Sequence, residues 1–478
     1  MPSLLRSNLT DTYCSYTLQL YSFKRRPNKT EWNILRSYTR RIWHISGCAN
    51  PDRWLDSDTL IAICSPPVTD PLFPNLRSLH WKGFKIIPAV HIAVSSLTRL
   101  YLEFLQGDVP ALKDFLDVVQ SQCPNIKHYQ IDIPRPHTFD KTICDHIRHQ
   151  THLQEFRSHG VIFDAAMILH LSRIPTLARL SLVWIPDEPD WTFSSESAPV
   201  FSTLTHMEMG SQLLESVTIL LSLTQLPVIE DLSVTFHACP SKEAFKSHLT
   251  TIRHTCSSVS LVTIKIRATL FSRFLSDVLI ESGHRLTLGD VRPCMAFVNL
   301  RHVHINLQWY VDLTDSDLLA LASEWPRMHS LVINDRWGWR TTGGITLQGL
   351  LQLLQACRSL SELCIAIRTD SFVNPVHGFE TGFLAPPSLA LSLADSPIRS
   401  VDVPALVDTF KTLGMSACSF SAWDGISMAN IEGAGQHKWD WNWVFGWVSG
   451  KYSGPIGGCG SDESSEEDAR SVKEESSW

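Results

Sequence analysis

Ile229-Glu230-Asp231-Leu232-Ser233-Val234 and Leu261-Val262-Thr263-Ile264-Lys265-Ile266 carry one phrase: apolar, two residues, apolar, one residue, apolar. The second and third apolar positions are two residues apart, so they share one face of a strand, and the residue between them points to the other face. Toward the N-terminus the phrase recurs as Leu204-Met207-Met209, Leu177-Leu180-Leu182, a weaker Leu153-Phe156-Ser158, Ile126-Tyr129-Ile131, Leu97-Leu100-Leu102 and Leu76-Leu79-Trp81. Toward the C-terminus it recurs as Leu300-Val303-Ile305, Met328-Leu331-Ile333, Leu360-Leu363-Ile365 and Ile398-Val401-Val403.

The steps between successive copies run from 21 to 39 residues. Their mean of about 29 is the upper end of the leucine-rich-repeat period, with insertions. The asparagine that regular repeats place eight residues after the first anchor is missing, so the repeats are irregular. Between phrases lie segments with helical apolar spacing, among them Ala111–Val119 and Leu347–Leu354. Thr314 precedes another, with Asp317 at capping-box spacing. One repeat cannot bury its own apolar face, so the copies must stack. The expected fold is therefore α/β: a leucine-rich-repeat-like solenoid with a curved parallel sheet and helices on the convex side.

The ends read differently. Residues 1–70 fit the phrase poorly, and Trp32, Leu35, Tyr38 and Trp43 suggest a helix followed by a strand in an N-terminal cap. Residues 71–413 form the repeat array. Residues 414–453, with Trp423, Trp439, Trp441, Trp443 and Trp447, read as a C-terminal cap, and residues 454–478 as a disordered acidic tail.

The chain of 478 residues has 41 basic and 48 acidic side chains, a net charge of −7. Seven acids and two bases lie between Ser461 and Trp478, so the rest of the chain is close to neutral. A near-neutral body lacks the basic field that drives nucleic-acid binding. Hydrophobic content of 44% supports a large core. The most apolar stretch, Leu213 to Ile229, is broken by polar residues and Pro227, so no membrane span is expected. Twelve scattered cysteines without a CxxC pair, and no signal segment, point to a reduced, intracellular protein, cytoplasmic or nuclear. The Asn8 and Asn28 glycosylation sequons are then without meaning.

No nucleophile elbow, zinc-protease, P-loop or dinucleotide motif is present, so no catalytic residue, cofactor or metal is assigned. Cys144, His146, His149 and His152 have the chemistry of metal ligands, but no second group completes the set, and a His-rich helix or turn explains them. Thr342-Gly343-Gly344 before a helix suits either an anion at the helix start or a plain turn. The alternating tryptophans suit ligand stacking or, better, closure of the array. Ser464 and Ser465 have Glu467 and Asp468 three residues on, a setting for acid-directed kinases; phosphorylation would add about −1.5 to −2 per site.

The residues between anchors must face away from the helices. They include Tyr101, Gln130, Arg157, Glu208, Lys265, Arg267, His302, His304 and Asn306, which make up the expected face for a protein target. Lys265, Arg267, His302 and His304 form a basic group suited to an acidic or phosphorylated motif.

Several longer phrases resemble the F-box/leucine-rich-repeat-like proteins of mushroom-forming fungi. The fullest runs from Leu313-Thr314-Asp315 through Trp325-Pro326-Arg327-Met328 to Leu331. Leu72-Phe73-Pro74-Asn75-Leu76-Arg77-Ser78-Leu79 is similar to the family's first clear repeat, and Thr346–Leu351 leading to Cys357 and Leu360 to a later one. Trp32–Ile42 is similar to its pre-repeat segment. The resemblance spans about residues 30–450. It implies a non-enzymatic recognition module similar to the substrate receptor of an SCF-type ubiquitin ligase, with the target on the concave face. The F-box that docks the ligase's linker subunit is not legible, because Met1–Tyr21 is too short and polar for its three helices. SCF subunits are thus expected partners only if an F-box is encoded upstream; the alternative is a stand-alone scaffold.

Overall fold

The computed structural model describes residues 5–13, 16–23, 25, 27–46, 53–55, 71–83, 92, 94–104, 109–133, 140–187, 191, 198–269, 284–340, 344–369, 385–386, 388–424 and 433–452. The chain divides into two compact units: residues 1–284 with 289–307, and residues 285–288 with 308–478.

In the first unit, β1 (Leu5–Tyr13) and β2 (Tyr16–Phe23) form an antiparallel pair. The helix Lys29–Thr39 follows, capped by Asn28, and leads to β3 (His44–Ser46), the helix-then-strand order expected there. A short β4 (Arg53–Leu55) pairs with β2. The main sheet then takes β5 (Ser78–Gly83), β6 (Arg99–Phe104), β7 (His128–Asp132), β8 (Glu155–His159), β9 (Arg179–Ile185), β10 (His206–Ser211), β11 (Asp231–Phe236) and β12 (Thr263–Ala268). After β13 (Arg285–Leu286), which belongs to the second unit, β14 (His302–Asn306) completes the first unit's sheet. Neighbours in the order β3-β5-β6-β7-β8-β9-β10-β11-β12-β14 all pair in parallel.

The copies of the phrase from Leu76 to Leu300 thus coincide with strands, and their anchors are buried except for the half-buried Trp81: Leu232, Ile264 and Val303 are no more than 3% exposed. A repeated backbone contact sets the register. The Thr98 and Arg99 amides both donate to the Arg77 carbonyl, at 2.9 Å each. Lys127 and His128 donate to Thr98, Gln154 and Glu155 to Lys127, and Ala178 and Arg179 to Gln154. The pattern continues through Thr205 and His206, Glu230 and Asp231, Val262 and Thr263, to Arg301 and His302 on the Val262 carbonyl. Helices return the chain; Leu214–Ser222 packs on Lys242–Thr255, where Thr218 Oγ1 lies 2.9 Å from His248 Nδ1.

In the second unit, β15 (Tyr310–Val311) pairs with β13. The strands β16 (Ser330–Ile333), β17 (Glu362–Cys364), β18 (Ala390–Ser392) and β19 (Ser419–Ser421) pair in parallel in that order. The helix Asp315–Glu324 starts with the expected capping box: Asp317 N–H donates to Thr314 Oγ1, and the Thr314 amide donates to Asp317 Oδ2 at 2.8 Å. One copy of the phrase fails. Ile398-Val401-Val403 is no strand: Ser400–Asp402 is a 3-10 turn, Val401 is 78% exposed, and Val403 starts the helix Val403–Thr412 with Pro404 behind it. The strand of that repeat is β18, whose buried anchors are Leu389, Leu391 and Leu393; the first two stand one residue closer than the phrase has them and so escape a search for it. The acidic tail, with Ser464 and Ser465, lies outside the described residues.

Burial across a strand gives a direct test of which face is the core. Leu232→Ala should lose about 2–5 kcal/mol of stability, whereas Ser233→Ala, on the opposite face, should stay within about 0.5 kcal/mol. Urea unfolding of both variants reads the difference.

Candidate functional site on the open face of the first unit

The face of the sheet away from the anchors carries the candidate site. Register places Tyr101, Gln130, Arg157, Ser181, Glu208, Ser233, Lys265 and His304 side by side in one row, each on its own strand. Neighbours in such a row stand about 4.8 Å apart. Sequence reasoning found most of this row and passed over Ser181 and Ser233, which hold the same slot in the phrase. A parallel row two residues earlier runs Arg99, His128, Glu155, Arg179, His206, Asp231, Thr263 and His302. Of these only His302 was expected at the face, although the alternation of strand side chains places all of them there.

Between β8 and β12 the two rows line a groove of about 430 Å³. Its carboxylates are engaged: Glu155 Oε2 with His128 Nδ1 at 3.1 Å, Asp231 Oδ2 with His206 Nε2 at 2.7 Å, and Glu208 Oε2 accepting from Ser181 Oγ at 2.8 Å. Arg157 and Arg179 are exposed and Lys265 is half-buried. Arg267 Nη2 donates to His304 Nδ1 at 3.2 Å, which fixes that imidazole nitrogen as the acceptor. Arg267 and Asn306 are register partners two residues beyond the main row. Asn306 departs from expectation: at the end of β14, opposite Arg267 and just before the fully buried Leu307, it is only 1% exposed.

The other sequence candidates have structural places. Cys144 and His146 lie in or beside the helix Asp140–Ile147 with their side chains in the core, His146 against the Tyr129 ring at 5.6 Å. His149 Nδ1 meets the Asp145 carbonyl at 2.7 Å. Among the described residues no group of three His, Cys, Asp or Glu side chains is placed to hold a metal ion. Thr342 and Gly343 lie outside the described residues. At Gly344 an added Cβ would sit 2.6 Å from the Leu313 carbonyl oxygen, so glycine permits the close approach of neighbouring chain segments. The start of the following helix, Leu347–Ala356, is taken by the chain's own Asp315 carboxylate, which accepts from the Thr346 amide at 2.8 Å and the Thr346 hydroxyl at 2.7 Å. The tryptophans at 439, 441, 443 and 447 lie on one helix, Ala434–Val448, so a spacing of two turns them apart: Trp441 is fully buried, donates to the Ser396 carbonyl at 2.9 Å and stacks on Phe410, while Trp439 is exposed. Among the described residues no helix is long and apolar enough to cross a membrane.

No protein-family model matches the chain, and no curated protein matches it. Among solved structures the chain is similar to an internalin from Listeria monocytogenes, at 11% identity and a TM-score of 0.33, over 85% of this chain and 93% of that one. The fold rests on the strand register and burial, not on this likeness.

Two buried histidines beneath the face make a pH prediction. Burial, with His149 nearby, lowers His146 to about 4, and burial lowers His248 to about 3. Both are neutral in the folded chain, whereas the unfolded chain takes up protons below pH ~6.5. Stability is therefore full above pH ~6.5 and falls by about 1.4 kcal/mol per pH unit per histidine down to the folded values. Urea midpoints measured from pH 7 to pH 4.5 should fall steeply, and His248→Asn should flatten the slope.

Proposed function

We propose that the chain is a non-enzymatic protein-recognition module that holds its target on the open face of the first unit's sheet. The observation that carries this reading is the aligned double row of polar side chains bordering the groove, with Arg157, Arg179 and Lys265 in no ion pair among the described residues. Parallel strands fix their spacing, so the face is preorganised and little ordering entropy is lost on binding. Around it, residues 1–70 act as the leading cap, 71–413 as the repeats and 414–453 as the trailing cap; the burial of Trp441 supports the last. The protein acts inside the cell, in cytoplasm or nucleus; the free thiols of Cys123, Cys256, Cys294, Cys357 and Cys364, all buried, accord with that. The tail serines Ser464 and Ser465 are its phosphorylation sites.

The phrases shared with F-box/leucine-rich-repeat-like proteins extend the proposal: the target is delivered to an SCF-type ubiquitin ligase. In a pull-down, the ligase's linker subunit should associate with the protein expressed with its upstream genomic sequence. No association there would leave a stand-alone scaffold.

The recognition face itself is tested by charge reversal. Arg157→Glu with Lys265→Glu should reduce recovery of specific partners in quantitative affinity purification by roughly ten-fold or more, since each lost charged contact is worth about 1.5–3 kcal/mol. Arg253→Glu, on the exposed side of the helix Lys242–Thr255, should leave recovery unchanged.

A further inference from the structure

We propose that the groove between β8 and β12 binds an extended acidic peptide carrying acidic side chains at both ends and a neutral polar centre; this rests on the reading of that face as the recognition surface. The groove's own carboxylates do not offset its cations evenly. Glu155 and Asp231 are held by histidines and Glu208 by a serine hydroxyl, while Arg157, Arg179 and Lys265 have no carboxylate partner among the described residues.

The cations fall into two groups. Arg157 and Arg179 lie on β8 and β9, and Lys265 and Arg267 lie on β12. Between them the main row offers Ser181, Glu208 and Ser233. From β9 to β12 is three strand steps, about 14 Å at ~4.8 Å per step. That distance exceeds the Debye length of about 8 Å at physiological ionic strength, so each cation group is felt separately by a ligand. A peptide laid across the strands at ~3.3 Å per residue covers the gap with about four residues. Glu208 at the centre repels an acid there and favours hydroxyl or amide side chains. The recognised pattern is then an acidic pair, about four polar neutral residues, and a second acidic pair. Holding both ends at once raises the affinity well beyond that of either end, because the second contact forms intramolecularly.

The experiment uses the full chain and fluorescent synthetic peptides with two glutamate pairs separated by zero, four or eight serine and glycine residues. A one-pair peptide, an all-neutral peptide and a single-stranded oligonucleotide serve as comparisons. Anisotropy at physiological salt should show the four-residue spacer binding at least about ten-fold tighter than the other spacers or the one-pair peptide. Arg157→Gln with Arg179→Gln, or Lys265→Gln with Arg267→Gln, should reduce it to the one-pair level, with unchanged circular dichroism. Binding that is absent, indifferent to spacing, indifferent to both variants, or weaker than that of the oligonucleotide would overturn the proposal. The wild-type spacer series decides the matter even if a variant does not fold. If peptides fail while a protein partner still depends on Arg157 and Lys265, the two-ended acidic motif falls and the recognition face stands; if the partner is also indifferent, both fall.

Discussion

In the first unit, everything above the single strand depends on a backbone carbonyl shared by two amides. At the entrance to each strand, two consecutive N–H groups donate to one carbonyl of the preceding repeat, from Arg77 through Thr98, Lys127, Gln154, Ala178, Thr205 and Glu230 to Val262. Each such hydrogen bond contributes about 0.5–1.5 kcal/mol net, and leaving a buried amide unmade would cost more. Because the contact is made by backbone, it asks nothing of side-chain identity. This explains how the array holds register although its repeats vary from 21 to 39 residues and lack the usual asparagine. Where side chains help, they are hydroxyls that reinforce the same links: Thr98 Oγ1 donates to the Arg77 carbonyl at 3.1 Å and Thr205 Oγ1 to the Ala178 carbonyl at 3.1 Å.

Register is also what makes a site. A shift of one residue would exchange the two faces of a strand. With the carbonyl contact fixed, Arg157, Ser181, Glu208, Ser233 and Lys265 fall into line although more than 100 residues separate the first from the last. The same fixation pairs His206 with Asp231 and His128 with Glu155 across strands, which occupies the carboxylates and leaves arginine and lysine facing solvent.

The anchors were legible in the sequence because a buried apolar face leaves a period-2 trace. The trace fails in two ways. At β18 the first two anchors, Leu389 and Leu391, stand one residue closer than in the phrase, and the strand is missed; at Ile398-Val401-Val403 the spacing is right, but Val401 is exposed and Val403 is buried as the first residue of a helix. Apolar spacing alone separates neither a buried residue from an exposed one nor a strand from a turn that enters a helix. On the open face, side-chain direction was legible and pairing was not: Lys265 and Arg267 could be placed at the face, whereas the His304 contact to Arg267 and the covering of Asn306 depend on neighbours distant in sequence. The Gly344 turn shows a third limit. A sequence that suits an anion-binding helix start is the same sequence when the anion is the chain's own Asp315.

The claim that the target lies on the open face is tested most directly by site-specific photo-crosslinking. A photoreactive residue at Ser233, in the centre of the main row, is compared with one at Ile219, exposed on the helix Leu214–Ser222. A purified partner should cross-link through position 233 and not through position 219. Cross-linking through 219 alone, or equally through both, would contradict the account.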